Sequence, residues 1–219
     1  MTTRIALIHA VTVAIEPVQE AFRQLWPEAE CASILDDSLS LDRERDGVLT
    51  EAMKRRIRAL AEYGAATGAA GVLFTCSAFG QAIEAAAAAL PIPVLKPNEA
   101  MFEAALAAGR RIGMLATFAP SVDSMEVEFR EMAETCGRRA TIETYCVPGA
   151  MAALKADDGA QHNRLIAEAA PRFANCDAVL LAHFSTARAA PAVTAVLERP
   201  VLTSPGSAVA KLKGIIANL

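Results

Sequence analysis

The sequence predicts an α/β protein of two pseudo-symmetric lobes, each built on a parallel sheet covered by helices. Two observations support this prediction: short apolar runs alternate with longer helical patterns along the chain, and the series of runs occurs twice. The 219 residues are enough for one large domain or for two small lobes with a sizeable core. A composition of 53% hydrophobic and 21% charged residues is typical of a compact globular protein.

The first half of the chain contains four apolar runs of strand length with helical patterns between them. Apolar strands that alternate with helices favour a parallel sheet, because helical crossovers cover both of its faces. The strand-like runs are RIALIH (4–9), ECASIL (30–35), GVLFTC (71–76) and IPVL (92–95). The helical patterns are EPVQEAFRQLW (16–26), the stretch 50–67 and FGQAIEAAAAAL (79–90).

The same alternation starts again in the second half of the chain. The strand-like runs there are RIGML (111–115), TIETYCV (141–147), AVLLAH (178–183) and RPVLTS (199–204). The helical patterns are 121–137, HNRLIAEAAPRF (162–173) and a final helix over 206–218. The two halves therefore predict the same order of elements.

One offset of 107 residues superimposes the two halves without a gap. The matching landmarks are Arg4-Ile5 on Arg111-Ile112, Phe22 on Phe129, Val72-Leu73 on Val179-Leu180, and Pro93-Val94-Leu95 on Pro200-Val201-Leu202. A constant offset over separate landmarks indicates an internal duplication. It predicts two Rossmann-like or flavodoxin-like lobes, residues 1–98 and 99–205, with residues 206–219 returning as the last helix of the first lobe.

Strand ends are where such lobes place their functional residues. Ligands of open parallel sheets lie beyond the carboxyl ends of the strands, and a cleft is expected between two such lobes. The offset of 107 places Cys76 on His183 at equivalent strand ends. An acid and a base on opposite faces of one carbon can move a proton from one face to the other. Backbone N–H groups at the strand-to-helix turn would favour a Cys76 thiolate.

Several polar residues at the same strand ends are candidates for binding a substrate. Hydroxyl groups and backbone N–H groups beside the cysteine suit a carboxylate or its enediolate. These candidates are Thr75 and Ser77 beside the cysteine, Ser185 and Thr186 in the second lobe, and His9 and Thr12 after the first strand. Asn98 reads as the N-cap of the helix that follows it or as a further substrate contact.

Other polar residues in the sequence have simpler interpretations. His162 in DDGAQHNRL is expected to be solvated, and Lys54, Arg55, Arg56 and Arg58 are expected to form an exposed helix face. His9, Cys76 and His183 together make a Cys/His/His set, but no fourth ligand is evident, so no metal is expected.

Charge, cysteine pattern and motifs exclude several classes of protein. The net charge is −4 with no long basic run, so neither nucleic acid nor an anionic membrane is an expected partner. No apolar run reaches membrane-spanning length, and the apolar opening of the chain reads as a first strand. Five cysteines without a C-x-x-C pair fit a reducing cytoplasm. The segment after the first strand, HAVTVAIEP, lacks the glycine-rich dinucleotide fingerprint, and no cofactor is expected.

Three stretches of the chain resemble the Asp/Glu racemase superfamily of aspartate, glutamate and hydantoin racemases, maleate isomerase and arylmalonate decarboxylase. They are GVLFTCSAFG (71–80), RIGMLATFAPSVDS (111–124), and AVLLAHFSTARAA (178–190) before RPVLTSPGSAV (199–209). The resemblance implies a catalytic cysteine at Cys76, a carboxylate site at Ala116, Thr117 and Ser121, and a homodimer. The second cysteine of the family falls at His183.

The sequence thus predicts a cofactor-independent racemase-like enzyme acting at the carbon alpha to a carboxylate, with Cys76 and His183 on opposite faces. Its substrate would be an amino acid, a hydantoin or a related small acid. A Cys/His pair also suits a one-sided reaction, either decarboxylation or cis–trans isomerisation of a small dicarboxylate. A non-catalytic protein that binds a small ligand is a further alternative.

Overall fold

A computed structural model describes residues 2–219 of the chain. The eight strands are β1 (Arg4–His9), β2 (Glu30–Leu35), β3 (Gly71–Phe74), β4 (Val94–Leu95), β5 (Arg111–Ala116), β6 (Thr141–Cys146), β7 (Ala178–Leu181) and β8 (Val201–Thr203). The α-helices are α1 (Ile15–Leu25), α2 (Ser38–Asp46), α3 (Glu51–Ala66), α4 (Gly80–Ala89), α5 (Glu99–Ala108), α6 (Val122–Thr135), α7 (Ala150–Lys155), α8 (Gly159–Ala169), α9 (Ala190–Thr194) and α10 (Ser204–Ala217).

The strands form two separate four-stranded sheets in which every pairing is parallel. Their orders are β2-β1-β3-β4 and β6-β5-β7-β8, which are the same order under the repeat. The chain divides into two compact units, unit 1 with residues 1–100 and 205–219, and unit 2 with residues 101–204. The predicted α/β class with two parallel sheets is confirmed.

The offset of 107 is confirmed for three of the four strand pairs and is wrong for the fourth. β5, β7 and β8 each begin 107 residues after β1, β3 and β4. β2 begins at Glu30 and β6 at Thr141, which are 111 residues apart. The gap-free alignment fails there because α6, with 14 residues, is longer than α1, with 11. The repeat therefore holds for the central strands and varies at the edge strands.

The central strands are apolar because helices cover both of their faces. All four residues of β3 and all four of β7 are buried, whereas the edge strands β2 and β6 keep exposed positions. In unit 1, helix α3 approaches β1 so closely that a Cβ at Gly64 would lie 2.9 Å from Ala6 Cβ. In unit 2, the Phe173 ring lies over β5, and a Cβ at Gly113 would come within 2.4 Å of it.

The structure contains two helices that the sequence did not predict, α2 and α7. It also corrects the expectation that His162 is solvated, because this residue has no exposed surface. His162 lies on the same side of α8 as buried Ile166, and its Nδ1 lies 2.9 Å from the carbonyl oxygen of Ala150. No helix within residues 2–219 is long and apolar enough to cross a membrane.

Candidate active site

Cys76 stands two residues after the end of β3 and opens the 3₁₀ turn Ser77–Phe79. The residue is half-buried, and protein surrounds its sulfur closely. Burial raises the pKa of the Cys76 thiol, while the backbone N–H of Ala78 and the positive charge of Arg43 oppose that rise. The turn therefore supplies the donor that the sequence predicted, and burial still outweighs it.

Arg43 is a residue of this cluster that the sequence analysis missed. It lies on α2, and its Nε is buried without a hydrogen-bond partner within residues 2–219. A signal was available in the sequence SLSLDRERD, because Arg43 follows Leu39 by four residues and shares its helix face. Leu39 is the buried residue of α2, so Arg43 lies on the inner side of this helix.

His9 and Thr75 form a hydrogen-bonded pair under the Cys76 turn. His9 is fully buried, with Nδ1 2.9 Å from Thr75 Oγ1 and Nε2 3.2 Å from Ser33 Oγ. Burial lowers the pKa of His9 to about 4, so the ring is neutral at pH 7. A neutral ring has one donor and one acceptor, and hydroxyl groups occupy both. His9 therefore supports Thr75, and its expected direct contact with substrate stays a prediction that would require one of these bonds to open.

The remaining candidates of unit 1 lie at the same edge of its sheet. Thr12 is exposed in the 3₁₀ turn after β1, and Ser77 is half-buried beside Cys76. Asn98 is buried and directly precedes α5, as the N-cap prediction requires. Within residues 2–219 no group of three His, Cys, Asp or Glu side chains is placed to hold a metal ion.

His183 occupies the equivalent place in unit 2, two residues after the end of β7. Its backbone is unusual, with φ 70° and ψ 149°, close to a region that only glycine adopts readily. Burial lowers the pKa of His183 from 6.5 to about 4, so this ring too is neutral at pH 7. A strained backbone and a neutral ring distinguish His183 from an ordinary residue at the edge of a sheet.

Ser121 fixes the orientation of the His183 ring. Its Oγ lies 3.3 Å from His183 Nε2 and donates to the carbonyl oxygen of Phe118 at 2.9 Å. The hydroxyl proton is used by Phe118, so Ser121 accepts from Nε2–H, and the lone pair of the ring lies on Nδ1. Nδ1 has no partner within residues 2–219, which makes it available as a base.

The other candidates of unit 2 pack beside this pair. Thr117 and Thr186 are buried, with their hydroxyl oxygens 3.4 Å apart, and Ser185 is buried next to them. The structure thus brings Thr117 together with Thr186, and Ser121 together with His183. The resemblance had implied only a carboxylate contact for Thr117 and Ser121, and that contact stays a prediction.

The fold and the two clusters define a class of α/β protein in which a sheet is repeated and the third strand of each repeat ends at a reactive side chain. The family model for Asp/Glu/Hydantoin racemase matches residues 10–170. This chain belongs to the Asp/Glu/hydantoin racemase family, and the resemblance seen in its sequence is confirmed. A comparison with curated proteins gave no match.

Solved structures of racemases and of a decarboxylase share the fold. Aspartate racemase from Picrophilus torridus is 14% identical with a TM-score of 0.71, and the alignment covers 98% of this chain and 94% of that one. Allantoin racemase from Klebsiella pneumoniae is 18% identical with a TM-score of 0.69, covering 99% and 88%. A glycine-to-cysteine mutant of arylmalonate decarboxylase is 18% identical with a TM-score of 0.70, covering 98% and 93%.

Proposed function

We propose that this protein is a cofactor-independent racemase or epimerase that moves protons at the carbon alpha to a carboxylate of a small acid. Cys76 and His183 act on opposite faces of that carbon. The observation that carries the proposal is their equivalence: each stands two residues after the third strand of its sheet and opens a 3₁₀ turn. An acid and a base from equivalent places in a repeat suit a proton relay at one carbon.

The resting protonation states give the relay a direction. His183 is a neutral base because its pKa is about 4, and Cys76 is a thiol because burial raises its pKa. His183 Nδ1 takes the α-proton, the electron pair of the C–H bond is held as an enediolate, and the Cys76 thiol donates its proton to the other face of the carbon. The imidazolium and thiolate left behind return to the neutral pair by proton exchange with solvent.

Positive charge and hydroxyl groups hold the substrate in this proposal. Arg43 favours the Cys76 thiolate and an anionic substrate beside it. Thr75, Ser77, Thr117 and Ser121 donate hydrogen bonds to the carboxylate. The substrate is an amino acid, a hydantoin or a related small acid, in keeping with the names of the similar racemases.

A decarboxylase or cis–trans isomerase of a small dicarboxylate is the second candidate. The observation that favours it is the unlike pair, a thiol in one unit and a neutral imidazole in the other, which suits protonation from a single face. The similar arylmalonate decarboxylase structure shows that the fold is compatible with such a reaction.

Proton NMR in D2O tests both candidates with a panel of amino acids, hydantoins and substituted malonates. We expect the wild type to introduce deuterium at the α-carbon of one of these classes. Cys76→Ala and His183→Ala should each slow that exchange by about 10²- to 10⁴-fold, the usual contribution of a general acid or base. Cys136→Ala removes an exposed cysteine at the end of α6 and is the matched control.

The products separate the alternatives. Equally fast exchange in Cys76→Ala contradicts the mechanism. Loss of CO2 from a malonate, with deuterium incorporated into the product, identifies the decarboxylase. Stabilisation of the fold by a panel member without exchange or decarboxylation indicates a protein that only binds its ligand.

A further inference from the structure

Helix α2 (Ser38–Asp46) has little apolar attachment to the rest of unit 1. Leu39 is its buried residue, and the other positions carry mostly polar or charged side chains. No side chain caps its N-terminus, and it ends at Gly47 with φ 69°. A helix with one apolar anchor needs polar contacts to stay in one position, because few buried contacts mean a low local stability.

Arg56, on the neighbouring helix α3, supplies those contacts. Its Nη1 lies 2.5 Å from Asp42 Oδ2, and its Nη2 lies 2.6 Å from Asp36 Oδ2 and 2.5 Å from Ser38 Oγ. Asp42 and Ser38 belong to α2, and Asp36 follows the end of β2. One guanidinium therefore joins α2, α3 and the carboxyl end of β2.

The Arg56 contacts are shielded from solvent more than ordinary surface ion pairs. About a third of the Arg56 side chain is exposed, and about a quarter of each aspartate. Burial raises the pKa of Asp36, but hydrogen bonds from Arg56 and Ser38 lower it by more. Arg58, two residues further along α3, pairs only with Glu62 and is 63% exposed. The sequence predicted one exposed arginine face here, and the structure corrects this for Arg56, whose bidentate geometry suits a fixed link.

Helix α2 carries Arg43 on its inner side and Arg45 on its outer side. Arg45 is 68% exposed and pairs with Asp42 and Asp46. The Nε of Arg43 is buried without a partner in the described chain, and its charge acts on Cys76. A buried guanidinium N–H without a partner has a cost, so its position must be imposed by the helix that carries it.

We propose that Arg56 is a positioning residue, whose contacts with Asp36, Ser38 and Asp42 hold α2 so that the Arg43 guanidinium lies beside the Cys76 thiol. Loss of Arg56 would free α2 to move on its single apolar anchor, and the positive charge of Arg43 would leave the thiol. The proposal rests on the proposed function for the importance of Cys76, but its test needs no substrate.

The test is the pH profile of Cys76 alkylation by iodoacetamide, followed by mass spectrometry of the Cys76 peptide. Arg43→Met and Arg56→Met should each move the midpoint of the profile up by about one pH unit, since a nearby cation favours the thiolate. The rate at pH 8 should fall only about 3-fold, because a thiolate of higher pKa is the better nucleophile.

Three further variants separate positioning from a direct effect of the Arg56 charge. The double variant Arg43→Met/Arg56→Met should give the same midpoint as Arg43→Met alone, because Arg56 acts through Arg43. Arg56→Lys keeps the charge but not the bidentate contact, so it should restore only part of the shift. Arg58→Met should leave the midpoint where it is in the wild type.

Additive shifts in the double variant, or an Arg56→Met midpoint equal to the wild type, would overturn the proposal. So would an unchanged midpoint in Arg43→Met, which leaves the proposed function to be judged by deuterium exchange. Circular dichroism checks that each variant is folded. If Arg56→Met is unfolded, Asp42→Asn removes one contact of the link and replaces it, with the same upward shift expected.

Discussion

The turns after β3 and β7 occupy equivalent places in their sheets and differ in backbone and in charge. Cys76 has an extended backbone with φ −123° and ψ 123°, whereas His183 has φ 70° and ψ 149°. The Cys76 thiol has a backbone N–H and the Arg43 charge to favour its anion, and for His183 burial alone shifts the pKa. The repeat thus preserved the position, while each unit set its own residue for a different protonation change.

The first way to break this comparison is to ask which enantiomer each residue serves. If Cys76 and His183 work on opposite faces, Cys76→Ala and His183→Asn should lose α-proton exchange with opposite enantiomers of the substrate. We expect a loss of about 10²- to 10⁴-fold for the affected enantiomer in each variant. NMR of the separate enantiomers in D2O measures it. Loss of exchange with the same enantiomer in both variants would mean that the two residues act on one face.

The second prediction concerns stability in acid, where each unit has one buried neutral histidine. The pKa of His9 and of His183 is about 4 in the folded chain and 6.5 ordinarily, so between these values the unfolded chain binds protons that the folded chain does not. The free energy of unfolding should therefore fall as pH drops from 6.5 to 4, by at most about 3 kcal/mol per histidine.

Urea unfolding across this pH range measures the effect. His183→Asn should reduce the pH dependence relative to the wild type, and His9→Asn should reduce it by a similar amount. The carboxylates titrate alike in all three proteins, so the difference between them reports the histidines. A wild-type slope retained in both variants would contradict neutral burial.

The smallest expected effect comes from glycine at the two turns. Glycine relieves a backbone near φ 70°, so His183→Gly should be more stable than His183→Ala by about 1 kcal/mol. The extended backbone of Cys76 gains nothing from glycine, so Cys76→Gly should be less stable than Cys76→Ala by about 0.5–1 kcal/mol. Urea unfolding of the four variants gives the sign in each unit. The same sign at both positions would show that the backbone difference has no energetic consequence.

The central strands of both sheets could be predicted because they are buried on both faces and read as apolar runs. β1 was predicted at its observed bounds, 4–9, and β3 and β7 within two residues. The edge strands β2 and β6 were also found, but their shifted offset was not, because a longer helix before an edge strand leaves the apolar pattern intact. Helix α2 was missed because its sequence, SLSLDRERD, has too few apolar residues to show a helical period.

Two of the side-chain roles in the site depend on contacts that a sequence does not display. Ser121 precedes His183 by 62 residues, yet its hydroxyl orients the His183 ring. His9 and Thr75 are 66 residues apart and hydrogen-bonded. A polar residue is a donor, an acceptor or a support only after the chain has folded, because each role is set by the partner that arrives.

By itself the sequence determined the α/β class, the repeat, and the equivalence of Cys76 and His183, because apolar period and spacing are local properties. Only the tertiary structure decided how these residues are tuned. It placed Arg43 beside the thiol, linked α2 to α3 through Arg56, and buried His9, His162 and His183. Desolvation and charge depend on distances between remote segments, and these distances are products of packing.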